Sequence, residues 1–167
     1  MALHEYFIAS PTIGRLLTGW SHLYRHTAVT TAVTYLHLVG IMVGGGVAVA
    51  TDRASLRLSP ATPDWSGELA RLASVHRWVL TGLGLIFATG SLMALADLDG
   101  VMRSGVFWVK MGLVGLLLAN GYPRMRSETA LRQGVSNAWT GFRRSSGASL
   151  VLWFVVLLAG ALLHSTL

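Results

Sequence analysis

The stretch from Thr27 to Ala50 carries no Asp, Glu, Lys or Arg, and it confines the fold more than any other feature of the chain. Crossing the hydrocarbon of a bilayer takes about 20 apolar residues. Inside it every backbone N–H and C=O must be bonded within the protein, which leaves the helix as the form for such a run. Three more apolar runs follow, Leu72 to Ala96, Val106 to Tyr122 and Ala148 to His164. Composition agrees: 12% of the residues are charged, against about 25% in soluble domains. The expectation is an all-α integral membrane protein forming one domain over 1–167. Its architecture is a four transmembrane helix bundle with spans at about 27–50, 72–96, 106–122 and 148–164.

Two amphipathic interfacial helices are expected beside the spans. Residues 1–26 form an amphipathic N-terminal segment with no apolar h-region behind a basic start, so no cleavable signal is read there. Ser10-Pro11 is a helix start, after which Ile13, Leu16, Leu17, Trp20, Leu23 and Tyr24 recur at helical spacing. The basic connection 124–147 repeats Leu131, Val135, Ala138, Trp139 and Phe142 in the same way. Pro123 is read as the stop of the third span. Of the 13 Lys and Arg, nine fall on the side of the two inter-span connections Thr51–Arg71 and Arg124–Gly147. Basic loops stay cytoplasmic, so both termini are expected outside the cytoplasm, in a membrane such as the bacterial inner membrane. The net charge of +6 is then a matter of anionic lipid rather than of nucleic acid, for which no basic patch with stacking aromatics is present.

Cysteine is absent, which removes disulfides and thiolate metal sites and leaves His, Met and carboxylates as ligands. His37 lies ten residues into the first span, roughly 15 Å deep by the helical rise. An ionisable group at that depth marks a functional site by default. Gly40 and Gly44 fall near its face, where bare backbone suits either a flat cofactor or a closely packed helix. Lys110 lies roughly 6 Å into the third span from the same side. His76 belongs to the opposite side and is read as an interfacial residue, about 13 Å from the plane of His37. His22 and His26 are an i, i+4 pair, a spacing that on one helix can hold zinc or copper, with His164 and His4 on the same side. For His37 three readings stay open: an axial ligand of haem iron, a ligand of another kind, and a satisfied structural histidine.

Leu36-His37-x-x-Gly40 with Gly44-Gly45, followed by Phe107-Trp108-Val109-Lys110 and Asn120, resembles a group of small four-helix membrane proteins. The group includes CopD-type copper-resistance membrane domains and the haem-binding four-helix protoporphyrinogen IX oxidases. The likeness covers about Val33 to Arg124. In the oxidase branch an early histidine and a later lysine are essential with b-type haem bound, and the resemblance carries those roles to His37 and Lys110. The chain departs from that branch after the histidine, where Gly44-Gly45-Gly46-Val47-Ala48 replaces an aromatic-rich segment. For the copper branch the outer histidines would serve.

The expected function is therefore a membrane-embedded b-type haem protein acting in electron transfer or redox chemistry, with His37, Lys110, Gly40 and Gly44 at the cofactor. Its electrons would pass to a quinone, a porphyrin or a partner subunit, and protoporphyrinogen oxidase activity is the less favoured form. The alternatives are a non-catalytic accessory subunit packing into a larger membrane complex through Gly40, Gly44, Gly82, Gly90 and Gly112, and copper or small-cation transport.

Overall fold

The computed structural model of the chain describes residues 11–166; His4 lies outside them. α1 (Pro11–Tyr24) is followed after a two-residue turn by α2 (Thr27–Gly40), a π-helical turn (Ile41–Gly46) and α3 (Val47–Arg57), which run on as one long helix. α4 (Trp65–Ser74) and α5 (His76–Ala96) form a second long helix with a break at Val75. The short α6 (Leu98–Arg103) leads into α7 (Gly105–Arg132), and α8 (Ala138–Thr166) closes the chain. Among the described residues there are no strands, and four helices are long and apolar enough to cross a membrane.

Side-chain oxygens start several of these helices by accepting the orphan N–H groups of the first turn. Asp64, held at a left-handed φ of 49°, accepts from the Gly67 N–H at 3.2 Å, and Asp97 accepts from Gly100 at 3.1 Å. The Ser104 hydroxyl accepts from Phe107 at 3.4 Å and sets α7 off from α6.

The helix ends differ from expectation at three places. The first span does not stop at Ala50 but continues to Arg57. Pro123 does not end the third span, because α7 passes through it to Arg132. The missing proline N–H costs one helical bond, a loss that membrane helices tolerate. The connection 124–147 is accordingly not a separate amphipathic helix; its two halves are the end of α7 and the start of α8. The stop lies at Gly134, whose φ of 83° suits a residue without a Cβ. Gly134 N–H donates to the Leu131 carbonyl at 2.9 Å and Val135 N–H to that of Ala130 at 3.0 Å, the paired closure of a Schellman motif. The apolar spacing that reads as one helix face arises because Leu131 and Phe142 meet across this hairpin. Together with Leu69 of α4 they form a core in which each is at most 2% exposed.

The helices pair as two hairpins. α2 and the π turn pack along α5, and α7 packs along α8. The hairpins are joined mainly where α3 lies on α8; α5 makes at most marginal contact with α7, as does α2 with α7 and α8. Ala48, Leu117 and Trp153 form the apolar core of that junction. The side chains with least exposure, Phe142, Leu69, Leu131, Ser55 and Ser146, all lie in this part of the molecule, the Arg124 end. The opposite end, near His164 of α8, is loosely joined. Along the spans large apolar side chains point outward, among them Met42, Phe87 and Leu116. Such an arrangement is stable only where the surroundings are themselves apolar.

Candidate functional site

His37 sits in the last turn of α2, just before the π turn, and α5 supplies its immediate surroundings. Its Nδ1 lies 2.9 Å from the Thr89 hydroxyl oxygen, and Thr89 is 3% exposed. The same hydroxyl is 2.6 Å from the Leu85 carbonyl. A carbonyl only accepts, so the single hydroxyl proton goes to Leu85, and Thr89 is left to accept from Nδ1–H. His37 is thereby held as the Nδ1–H tautomer, with a basic lone pair on Nε2. This is how a carbonyl- or hydroxyl-backed histidine is prepared to bind an electrophile.

Gly90 stands beside the ring, where a Cβ would come within 3.4 Å of Cε1. Lys110, from the other hairpin, is half-buried. Its Nζ lies over Gly160 of α8, 3.6 Å from where a Cβ would stand. No carboxylate pairs with Lys110 among the described residues.

Gly40 and Gly44, expected at a cofactor, serve a different purpose. A Cβ on Gly82 of α5 would lie 2.2 Å from the Gly44 nitrogen and 2.9 Å from the Gly40 carbonyl oxygen. The three glycines let α5 cross the first span with backbone against backbone, so their open faces are filled by helix and not available to a ligand. Gly45 turns to the other side, where its missing Cβ makes room for the Trp153 ring at 3.0 Å. The π turn carries both contacts: Gly44 meets α5 while its neighbour meets α8.

The His22, His26 and His164 set does not form the helical metal pair expected of it. α1 ends at Tyr24 and the chain bends, which leaves His26 with extended backbone at the start of α2 (φ −69°, ψ 124°). The i, i+4 register therefore does not run between His22 and His26. All three histidines are exposed, and among the described residues no three His, Asp or Glu gather as a metal site. α1 is instead fastened to the second span by Trp20, whose indole N–H donates to the Leu92 carbonyl at 2.8 Å.

No known protein family, curated protein or solved structure matches the chain. The site must accordingly be read from its own chemistry.

A second polar constellation, which sequence reasoning missed, lies at the Arg124 end. The guanidinium of Arg124 pairs with the buried Asp52 carboxylate, donates to Ser146 at 2.8 Å and to Ser55 at 3.1 Å, and lies over the Phe142 ring at 5.5 Å. Ser55 and Ser146 are fully buried. Nearby, Asn120 Nδ2 donates to the Ser145 carbonyl at 2.8 Å. Asp52 and Arg124 both read as loop charges when the spans are ended at Ala50 and Tyr122. The available signal was the serine cluster Ser145-Ser146-Ser149, small polar residues at the head of an apolar run.

Proposed function

We propose that the chain is an integral membrane protein that binds one b-type haem through Nε2 of His37 and acts in electron transfer. The observation that carries this reading is the Thr89 contact, which leaves the Nε2 lone pair free in a stretch, Thr27 to Ala50, that holds no Asp, Glu, Lys or Arg. A haem would supply one-electron chemistry there. Thr89 would hold the imidazole plane and tautomer, and Lys110 would offer its positive charge to a carboxylate of the group or its amine to the iron. Gly90 and Gly160 keep the space next to the two side chains clear. The outer position of this site follows from the same count of basic residues that places the Arg124 end at the cytoplasm, with α1 lying in the opposite interface.

The accessory-subunit reading retains one supporting observation. Gly112 and Gly115 on α7 are exposed, with open space where their Cβ atoms would be, so a partner helix could approach there. Gly40, Gly44 and Gly82 do not support it, since they are used within the chain.

Absorption spectroscopy with a pyridine haemochrome assay separates the two. Protein purified from haem-replete cells should show a Soret band and one haem b per chain, lost in His37→Ala and kept in His76→Ala. A preparation that remains colourless after incubation with haemin rules the proposal out.

A further inference from the structure

A cavity of about 300 Å³ opens at the Arg124 end between α5 and α7, the two spans that barely touch each other. Its floor is α3 and α8. The walls divide by depth: toward the middle of the spans they are Val79, Leu83, Leu117 and the Trp153 ring, and toward the end of the molecule His76, Asp52, Arg124 and Glu128. From His76 to Leu83 is seven residues, roughly 10 Å along the helix. The cavity therefore suits a molecule with a polar head near the end of the spans and an apolar tail leaving sideways between two helices into lipid. Small-molecule sites are commonly apolar clefts with a few convergent polar groups, from about 300 Å³ upward.

The charges at the polar end decide what kind of head fits. Asp52 is neutralised by Arg124, and Glu128 by Arg132 at 3.0 Å. No charge in the lining is left uncompensated, so neither an anionic nor a cationic head gains an ion pair. Hydrogen-bond donors do remain. Arg124 has five N–H groups, of which those to Asp52, Ser146 and Ser55 are engaged, leaving Nε–H and one Nη2–H. The His76 side chain has no hydrogen-bond partner among the described residues. Donors of this kind match carbonyl acceptors on a neutral head, and Trp153 closes the inner end of the cleft beside Leu117. A phospholipid head, which carries a charged phosphate, finds no uncompensated charge there to pair with.

We propose that this cleft binds an isoprenoid quinone, its ring between Trp153 and the Arg124–His76 donors and its tail passing between α5 and α7. Binding is independent of the haem reading; only a role for the quinone as electron partner rests on it.

The test is titration of the purified full chain, in detergent, with a short-chain quinone such as decylubiquinone, following tryptophan fluorescence and calorimetry. Saturable binding of one quinone per chain is expected. Gly121→Leu fills the cleft, and its new side chain starts from a position with nothing within 4 Å of the Cβ; it should weaken binding at least tenfold. His76→Ala, at an exposed position, should weaken it several-fold, whereas His37→Ala should leave it unchanged and lose only the Soret band. Absence of saturable binding overturns the proposal, as does equal affinity in wild type, Gly121→Leu and His76→Ala. Displacement of the quinone by phosphatidylglycerol at equal concentration would make the cleft a lipid groove and overturn it too.

Discussion

Thr89 is the residue on which the reading of His37 turns. A threonine in an apolar helix usually returns its hydroxyl to the carbonyl one turn back, and here it does so to Leu85 while still receiving the imidazole N–H. Replacing it with valine keeps the shape and removes the acceptor, so the ring loses what fixes its tautomer. Loss of such a partner typically lowers affinity for a bound metal about 10–100-fold. Haemin titration of Thr89→Val should therefore give a dissociation constant raised by about that factor, with the helical circular dichroism unchanged. Identical titration curves for Thr89→Val and the wild type would show that the hydroxyl does not prepare His37. His37 and Lys110 could be picked out in the sequence because ionisable groups are rare in apolar runs. Thr89 could not, since its partner lies 52 residues away and depends on how α5 is rotated against α2.

At the scale of the helix, the decisive contact is between glycines. A Cβ on Gly82 would stand 2.2 and 2.3 Å from the Gly44 backbone, and backbone cannot step aside as a flexible side chain can. Gly82→Ala must push α5 off the first span, and with it Thr89 off His37. The neighbouring Gly84 has nothing within 4 Å of its Cβ position, so Gly84→Ala should be neutral or stabilising by up to about 1 kcal/mol through helix propensity. Thermal unfolding in detergent, read by circular dichroism, should show a sharply lowered midpoint for Gly82→Ala and none for Gly84→Ala. Equal midpoints would mean that the seam is not a close approach. The sequence left Gly40 and Gly44 between a cofactor wall and a helix seam, because a glycine face looks the same in both cases. In the sequence Pro123 draws the boundary to itself, although a membrane helix can carry proline, and the stop falls instead at Gly134 with its left-handed φ.

In the whole molecule, packing is uneven. The fully buried side chains collect at the Arg124 end, and there one ion pair, Asp52 to Arg124, ties the first hairpin to the second. Removing one partner of a buried pair strands the other charge, at a cost of about 3–5 kcal/mol. Asp52→Ala should accordingly lower unfolding stability by about that amount in a denaturant titration, and loosen the junction of α3 with α8. A variant as stable as the wild type would show that the pair is solvated and holds nothing. Four long apolar runs with basic residues gathered on one side made an all-helical membrane chain legible from the sequence alone, because hydrocarbon admits few ways to satisfy a backbone. Which faces meet was decided by tertiary structure. Helices of nearly uniform apolar composition have no strong polar side to orient them, so a few steric and hydrogen-bonded contacts, glycine on glycine, Thr89 on His37 and Arg124 on Asp52, set the rotation and pairing of the spans.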